Sequence, residues 1–478
     1  MKKIIVWFRN DLRLHDNPAL WEAAQQGVII PVFIWSEEEN EKTTSEAGKW
    51  WLHHSLIALE KRLESNGLSL IFRRGNSLEE LTSICKQTKA DAVFFGERHE
   101  PSLMRRDSTI TKNLLFHGTE VRSFPSNLLF TNSDLLNQKK EPFKVFTAFW
   151  KRTMRESVNR PLPIPVGIVP YNQVIPSLQV EELGLLSANH WDEKFHTHWE
   201  PGEKSAITRW EQFTEDSLSR YVEGRDIPSA ESVSLLSPSI AWGEISVRAI
   251  WHSAKRLNET ETGEYMHSSI DAFLRQLIWR EFAYYQLIHF PEMLHAPLRV
   301  KFEVFPWQGS DEEFEKWQKG LTGYPLVDAG MRELWETGVI HNRVRMVVAS
   351  FLVKHLLISW VEGSKWFKET LVDFDAANNA MGWQWVAGSG IDAAPYFRIF
   401  NPILQSQKFD ADGVYIRKWV PELAKLSSKY IHEPWKAPSN LLLESGIDLG
   451  KTYPLPMIDH SFARIRALEA YAQVKNKS

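Results

Sequence analysis

Within the first 130 residues, four short runs of β-type residues alternate with stretches of helical spacing, and nothing else in the chain narrows its fold as far. Ile4–Phe8, Val28–Trp35, Leu68–Phe72 and Ala92–Phe95 are rich in Val, Ile and Phe, while Glu46–Ser65 and Ser77–Lys86 repeat apolar residues at helical intervals. Apolar strands separated by helices predict a parallel sheet with crossover helices. The residues after the first run are Arg9-Asn10-Asp11 and no G-x-G-x-x-G follows, so the fingerprint of a Rossmann dehydrogenase is missing.

Further along, PLPIPVGIVP at 161–170 holds four prolines and predicts an extended crossing without helix or sheet. From about residue 201 the spacing turns helical, as at Ile270, Phe273, Leu274, Leu277, Ile278 and Phe282, and again from Met346 to Trp360. The expected organisation is a Rossmann-like α/β domain over 1–130, a long linker over 131–200 and a larger all-α domain over 201–478. Val347–Val361 is the most apolar stretch, but at 15 residues with Lys354 and His355 inside it predicts a buried helix and no membrane span. Lys2 and Lys3 precede only Ile4–Phe8, too short a run for a signal peptide, which predicts a cytoplasmic protein.

A net charge of −4 argues against a general basic coat and still allows a local basic groove. The single cysteine, Cys85, excludes a disulfide framework, a four-cysteine zinc site and a cysteine-held iron–sulfur cluster, and its amphipathic setting predicts a small core residue. HWDEKFHTHW at 190–199 matches no standard zinc spacing and is expected to be a solvated loop, so no metal is predicted. Gly388-Ser389-Gly390 lacks the outer spacing of a nucleophile elbow.

Two helical faces carry mixed chemistry. Asn342, Arg345 and Met346 stand at i, i+3 and i+4, and Gln276, Trp279 and Arg280 repeat the spacing. Spacing alone favours ordinary surface faces. Asp373, Asp375 and Asn379 then precede Gly382-Trp383-Gln384-Trp385, where clustered carboxylates predict either a structural ion pair or a pocket for a polar ligand.

Several long segments resemble the photolyase/cryptochrome flavoproteins in order and spacing: WFRNDLRLHDNPAL (7–20), LIWREF (277–282), TGYPLVDAGMREL (322–334), HNRVRMVVASFLVK (341–354), AANNAMGWQWVAGSGIDAAPYFRIFNP (376–402) and HEPW (432–435). The resemblance implies that the all-α domain binds FAD. Within the family the chain is most similar to cyclobutane pyrimidine dimer (CPD) photolyases, and WWLHHS at 50–55 resembles the class III branch near plant cryptochromes. By motif, Tyr221, Ser234, Ser237 and Arg280 match positions that hold the FAD phosphates. Asn342, Arg345, Asp373, Asp375 and Asn379 match those around the flavin ring and ribityl chain, with Asn379 facing the central ring nitrogen. Trp383, Trp360 and Trp307 match an electron relay to the surface, a use for part of the 21 tryptophans.

A dimer inside a duplex must be flipped out to reach a cofactor. Trp279 and Trp385 match the flat walls of the lesion pocket, and Gln276, Asn342 and Met346 match further contacts. Arg225, Arg343 and Arg398 match basic positions that hold backbone phosphates, which predicts salt-dependent binding without sequence reading. The implied partner is UV-damaged DNA, met by a monomer that at a bacterial nucleoid would repair it by electron transfer from excited reduced FAD. A folate antenna, 5,10-methenyltetrahydrofolate, is an optional second chromophore, with Trp50, Trp51, His53 and Glu100 as its candidate contacts.

The chain departs from the pattern at three places. Gln276 stands where most CPD photolyases have glutamate, Val233-Ser234-Leu235-Leu236-Ser237 replaces T-S-R-L-S, and Val339 replaces an aromatic residue before HNR. Gln276 favours an alternative, a cryptochrome-like blue-light photoreceptor without repair activity. A 6-4 photolyase is the third reading, opposed by Asn342 and Met346 where those enzymes place histidines.

Overall fold

The computed structural model describes residues 1–41, 43–130, 135–260 and 263–476, so the expected linker start at residue 131 lies outside the described residues. Strands β1 (Lys2–Phe8), β2 (Gly27–Trp35), β3 (Ile71–Arg74), β4 (Ala92–Gly96) and β5 (Glu120–Phe124) form a parallel sheet in the order β3-β2-β1-β4-β5. The apolar runs form strands because both faces are covered: Ile5, Trp7, Ile30, Val32, Val93 and Phe95 share one buried cluster with Leu81 and Ile84. Between them run α1 (Pro18–Gln26), α2 (Glu46–Glu64), α3 (Ser77–Thr88) and α4 (Pro101–Phe116). Asn17, Ser45 and Asn76 cap the first three with their side chains. The third strand starts at Ile71, three positions later than the apolar run from Leu68 suggested, because Leu68 belongs to the turn leaving α2, where its N–H donates to the Leu63 carbonyl.

The proline-rich segment departs from expectation. Val169–Pro170 forms a two-residue strand, β6, on the N-terminal half of β2, whose C-terminal half pairs with β3. An edge position suits Pro170, which has no N–H to lose from a ladder. A helix, α5 (Phe146–Thr153), also interrupts the expected linker. The 190–199 segment is only partly solvated: Asp192, Phe195 and Trp199 are buried, so its aromatic residues anchor it.

The described residues divide into two compact units, one of 1–221, 234–291 and 372–377, the other of 222–233, 292–371 and 378–478. In the first, the opening motif acts as a staple. The Arg13 guanidinium, buried, donates to the carbonyls of Gly243 (2.8 Å), Ser126 (2.7 Å), Asp16 (2.9 Å) and His15 (3.1 Å). Asp16 takes both Nε and Nη2 of Arg248 at 2.9 Å, and Glu203 accepts from the N–H groups of Leu14 and His15. Helix α6 (Glu264–His289) completes this unit, with Ile270, Phe273, Leu274, Leu277, Ile278 and Phe282 turned inward.

In the second unit the stretch expected to be one helix from Val347 to Val361 is two. Helix α7 (Asn342–Ser350) widens into a π turn (Phe351–His355) and stops, and α8 (Trp360–Thr370) starts afresh behind its Ser359 cap. Leu357 between them sits at φ 55°, a left-handed conformation that ends a helix. Helix α9 (Ala376–Ala387) follows, then shorter helices, and α10 (His460–Asn476) is the last. Among the described residues no helix is long and apolar enough to cross a membrane.

Candidate active site

Packing decides what α6 presents. With its apolar stripe buried, Gln276, Trp279 and Arg280 are left half-buried on its other flank. Phe146 of α5 stacks on Trp279 with ring centroids 3.5 Å apart and planes 5° from parallel. One face of the indole is therefore held by a ring that is itself buried, which makes Trp279 a stiff flat wall. Gln276 donates its Nε2 to the Ala272 carbonyl at 2.9 Å, a bond that orients Oε1 as the acceptor. Arg280 donates to the Asn127 carbonyl at 2.7 Å and lies 4.8 Å over the Tyr284 ring.

The Tyr284 hydroxyl donates to Asp375 at 2.7 Å. Burial, and then the Asp375 charge, push its pKa well above the usual tyrosine value, so it is a fixed donor. Asp373, two residues earlier, is buried. Tyr221 is buried edge-on to Phe213 and Phe273. Ser234 is half-buried, Leu235 takes a left-handed φ of 50°, and the exposed Ser237 opens a short helix.

In the second unit, His341 caps α7, its Nδ1 accepting from the Arg343 N–H at 3.2 Å. Asn342 is exposed on the following turn, with Arg345 and Met346 half-buried on the same face. Arg343 instead turns to Asp226, 2.9 Å away. Asn379 of α9 donates its amide to the Oγ of Ser364 (2.9 Å) and to its carbonyl (3.2 Å), which leaves Oδ1 as the amide's acceptor. Trp385 is half-buried and Arg398 is exposed, with the Arg398 carbonyl accepting from Lys354 at 2.7 Å. Gln384, buried between these tryptophans, donates to the carbonyls of Met293 and Ala296 and accepts from the Leu298 N–H, tying the Trp-rich turn to the loop before Trp307.

The three tryptophans expected to form the relay share this unit. Trp383 is buried against Gly363 of α8, where a Cβ would stand 2.1 Å from its ring. Trp360, buried, lies three residues before Gly363 on the same helical face. Gln308, next to Trp307, donates its N–H to the Leu357 carbonyl at 2.9 Å, three residues before Trp360. Trp307 is half-buried, 4.4 Å from the Phe305 ring. From Trp383 and Trp360 to Trp307 the side chains go from buried to half-buried.

The candidate antenna residues lie in the first unit and are packed. Trp50 is 1% exposed and meets His54, Phe195 and His196 at 4.7–5.4 Å, while Trp51 donates to Glu244 at 2.9 Å. His53 is buried beside them, and Glu100 is buried and paired with Arg98. Burial alone would raise the Glu100 carboxyl, but the Arg98 guanidinium outweighs it and holds the pKa down at about 2. None of the four lines the nearby small cavity of ≈ 20 Å³, whose walls are Trp7, Arg9, Asn10, Trp35, Arg98 and Trp242 among others. That cavity lies at the carboxyl ends of β1 and β2. Arg9 is buried there between the Trp7 and Phe95 rings and pairs with Asp107 through Nη1 at 2.5 Å, while its buried Nε and Nη2 have no hydrogen-bond partner.

Sequence reading missed Tyr284, Asn127, Ser364 and Asp226. Only Tyr284 carried a signal, since it stands four residues after Arg280 on the face already marked.

Two family descriptions match the chain: DNA photolyase over residues 4–166, and FAD binding domain of DNA photolyase over residues 273–473. A deoxyribodipyrimidine photo-lyase of Agrobacterium fabrum is 46% identical, covering 99% of this chain and 98% of that one. Cryptochrome-2 of Arabidopsis thaliana is 38% identical over 99% of this chain and 79% of its own length. The crystal structure of a bacterial class III photolyase from Agrobacterium tumefaciens superposes with a TM-score of 0.95 at 45% identity, covering 100% of this chain and 98% of that one.

Proposed function

The chain belongs to the photolyase/cryptochrome family, and we propose from that premise that it is a light-dependent DNA repair enzyme, a deoxyribodipyrimidine photolyase that splits cyclobutane pyrimidine dimers. The observation that carries this reading is the 46% identity along nearly the whole of both chains to a deoxyribodipyrimidine photo-lyase. The cofactor is FAD, which when bound and reduced supplies the electron that light releases.

The residues fit that group. The Asn379 amide, with its nitrogen held by Ser364, would have its oxygen available to accept from the flavin ring. Tyr221, Ser234, Ser237 and Arg280 supply polar groups for the phosphates, and Asn342, Arg345, Asp373 and Asp375 supply them for the ring and ribityl chain. Trp279, stiffened by Phe146, and Gln276 in the first unit, and Trp385, Asn342 and Met346 in the second, are the residues we assign to the flipped dimer. Arg225, Arg343 and Arg398 hold the backbone. Trp383, Trp360 and Trp307 carry electrons inward from the surface.

We assign the optional folate antenna to the first unit, which holds its candidate contacts Trp50, Trp51, His53 and Glu100. We retain 1–130, 131–200 and 201–478 as the antenna, linker and catalytic divisions of a monomer that works in the cytoplasm, at the nucleoid in a bacterium.

The test is blue-light illumination of the reduced holoenzyme with UV-irradiated oligothymidine. Recovery of the thymine absorbance band is expected. An unchanged band with fully reduced flavin would move the protein to the photoreceptor class, which Gln276 favours.

A further inference from the structure

Two of the three rim arginines are not waiting for an anion. Arg343 Nη2 lies 2.9 Å from Asp226 Oδ2, and Arg225 Nε lies 4.0 Å from Asp226 Oδ1. The same carboxylate faces His341, which burial keeps neutral by lowering its pKa to about 4. Arg343 is held from its other side by the Phe409 ring, 4.4 Å below the guanidinium. The Asp226 side chain is 37% exposed and Arg343 20%, so the pair stands at the surface where a phosphate would arrive.

We propose that Asp226 is an internal competitor for DNA phosphate, occupying Arg343 and Arg225 in the free enzyme and displaced when DNA binds. The inference rests on the reading of these arginines as phosphate contacts. Guanidinium groups bond carboxylate and phosphate through the same N–H donors, so the two compete. The exchange weakens every DNA complex alike, which favours release of undamaged duplex and of repaired product. It also changes the ion balance. A phosphate that meets a free arginine releases a counterion, whereas one that evicts Asp226 leaves a carboxylate to take up a cation, which cancels part of that release.

The test is binding of undamaged duplex to the holoenzyme in the dark, over a series of salt concentrations. Asp226→Asn and Asp226→Ala are expected to tighten binding about 2- to 5-fold, the worth of an exposed ion pair. Both should steepen the slope of log K against log salt by up to about 0.9. Arg343→Ala is expected to weaken binding and flatten that slope. If Arg343→Ala weakens binding while both Asp226 variants leave it unchanged or weaken it, Asp226 positions Arg343 and the competition is overturned. If Arg343→Ala changes nothing, the phosphate-contact reading falls, and the proposal with it.

Discussion

The side-chain amide of Asn379 is pinned by Ser364, donating to its hydroxyl at 2.9 Å and to its carbonyl at 3.2 Å. The amide nitrogen is thereby engaged, and rotating the amide would put its oxygen against the Ser364 carbonyl. Ser364→Ala removes one of the two acceptors. One neutral hydrogen bond contributes about 0.5–1.5 kcal/mol, so the one-electron midpoint potential of bound flavin is expected to shift by roughly 20–65 mV. Ser364→Thr should restore it. A potential that does not move in Ser364→Ala would sink the link between this bond and the flavin.

Trp383 owes its place to a missing side chain. A Cβ on Gly363 would lie 2.1 Å from the Trp383 ring and 2.6 Å from Leu352, both deeply packed. Gly363→Ala should cost about 1–3 kcal/mol through overpacking, although alanine is the better helix former. Urea unfolding checks the loss, and light-driven flavin reduction in the variant should slow as it does in Trp383→Phe. A variant as stable as wild type would show that the ring can slide aside.

Trp279 and Gln276 should separate binding from tuning. Stacking of a base on an aromatic wall is worth about 1–3 kcal/mol, so Trp279→Ala should weaken binding of dimer-containing DNA roughly 5- to 150-fold. Gln276→Glu keeps an acceptor and adds charge, and its repair rate should equal or exceed wild type by about tenfold at most. Both are read with fully reduced flavin, by dimer-specific binding and by recovery of thymine absorbance. A Gln276→Glu variant that repairs more slowly would mean that the amide N–H, not the oxygen, meets the lesion.

Acid stability should depend on neutral buried imidazoles. Burial lowers the pKa of His54, His99 and His341 to about 4 each. Between pH 6.5 and 4 the unfolded chain then binds more protons than the folded one, so stability rises with pH across that window and is lost as pH falls through it. Glu244, Asp328 and Glu333, raised by burial, act in the opposite direction. The readout is therefore a comparison: the urea midpoint of His54→Gln should fall less between pH 7 and pH 5 than that of wild type. Parallel curves would mean that His54 is protonated in the folded state.

The sheet was legible because alternation of apolar and helical runs is written in neighbouring residues, and four of its strands stand close to where their residues put them. The single helix expected from Val347 to Val361 was not, because the break depends on Leu357 adopting φ 55°, which hydrophobicity cannot report. Val169–Pro170 was hidden for a related reason: two residues pair with β2 only because its edge is vacant there. At the site, helical spacing placed Gln276, Trp279 and Arg280 together, but Phe146 behind Trp279 comes from a stretch 133 positions away in the chain and left no local mark. Ser364 under Asn379 and Asp226 against Arg343 are contacts of the same kind.

The staple around Arg13 governs how this protein can be dissected. A fragment beginning at residue 201 would look like a self-contained helical domain, yet it would carry Arg248 without Asp16 and Glu203 without the N–H groups of Leu14 and His15. An orphaned buried ion of this kind costs about 3–5 kcal/mol, a large part of an ordinary domain's stability. Such a fragment should be recovered as insoluble material. A split version of the protein would succeed only if both pieces were produced together and allowed to associate before either had to stand alone.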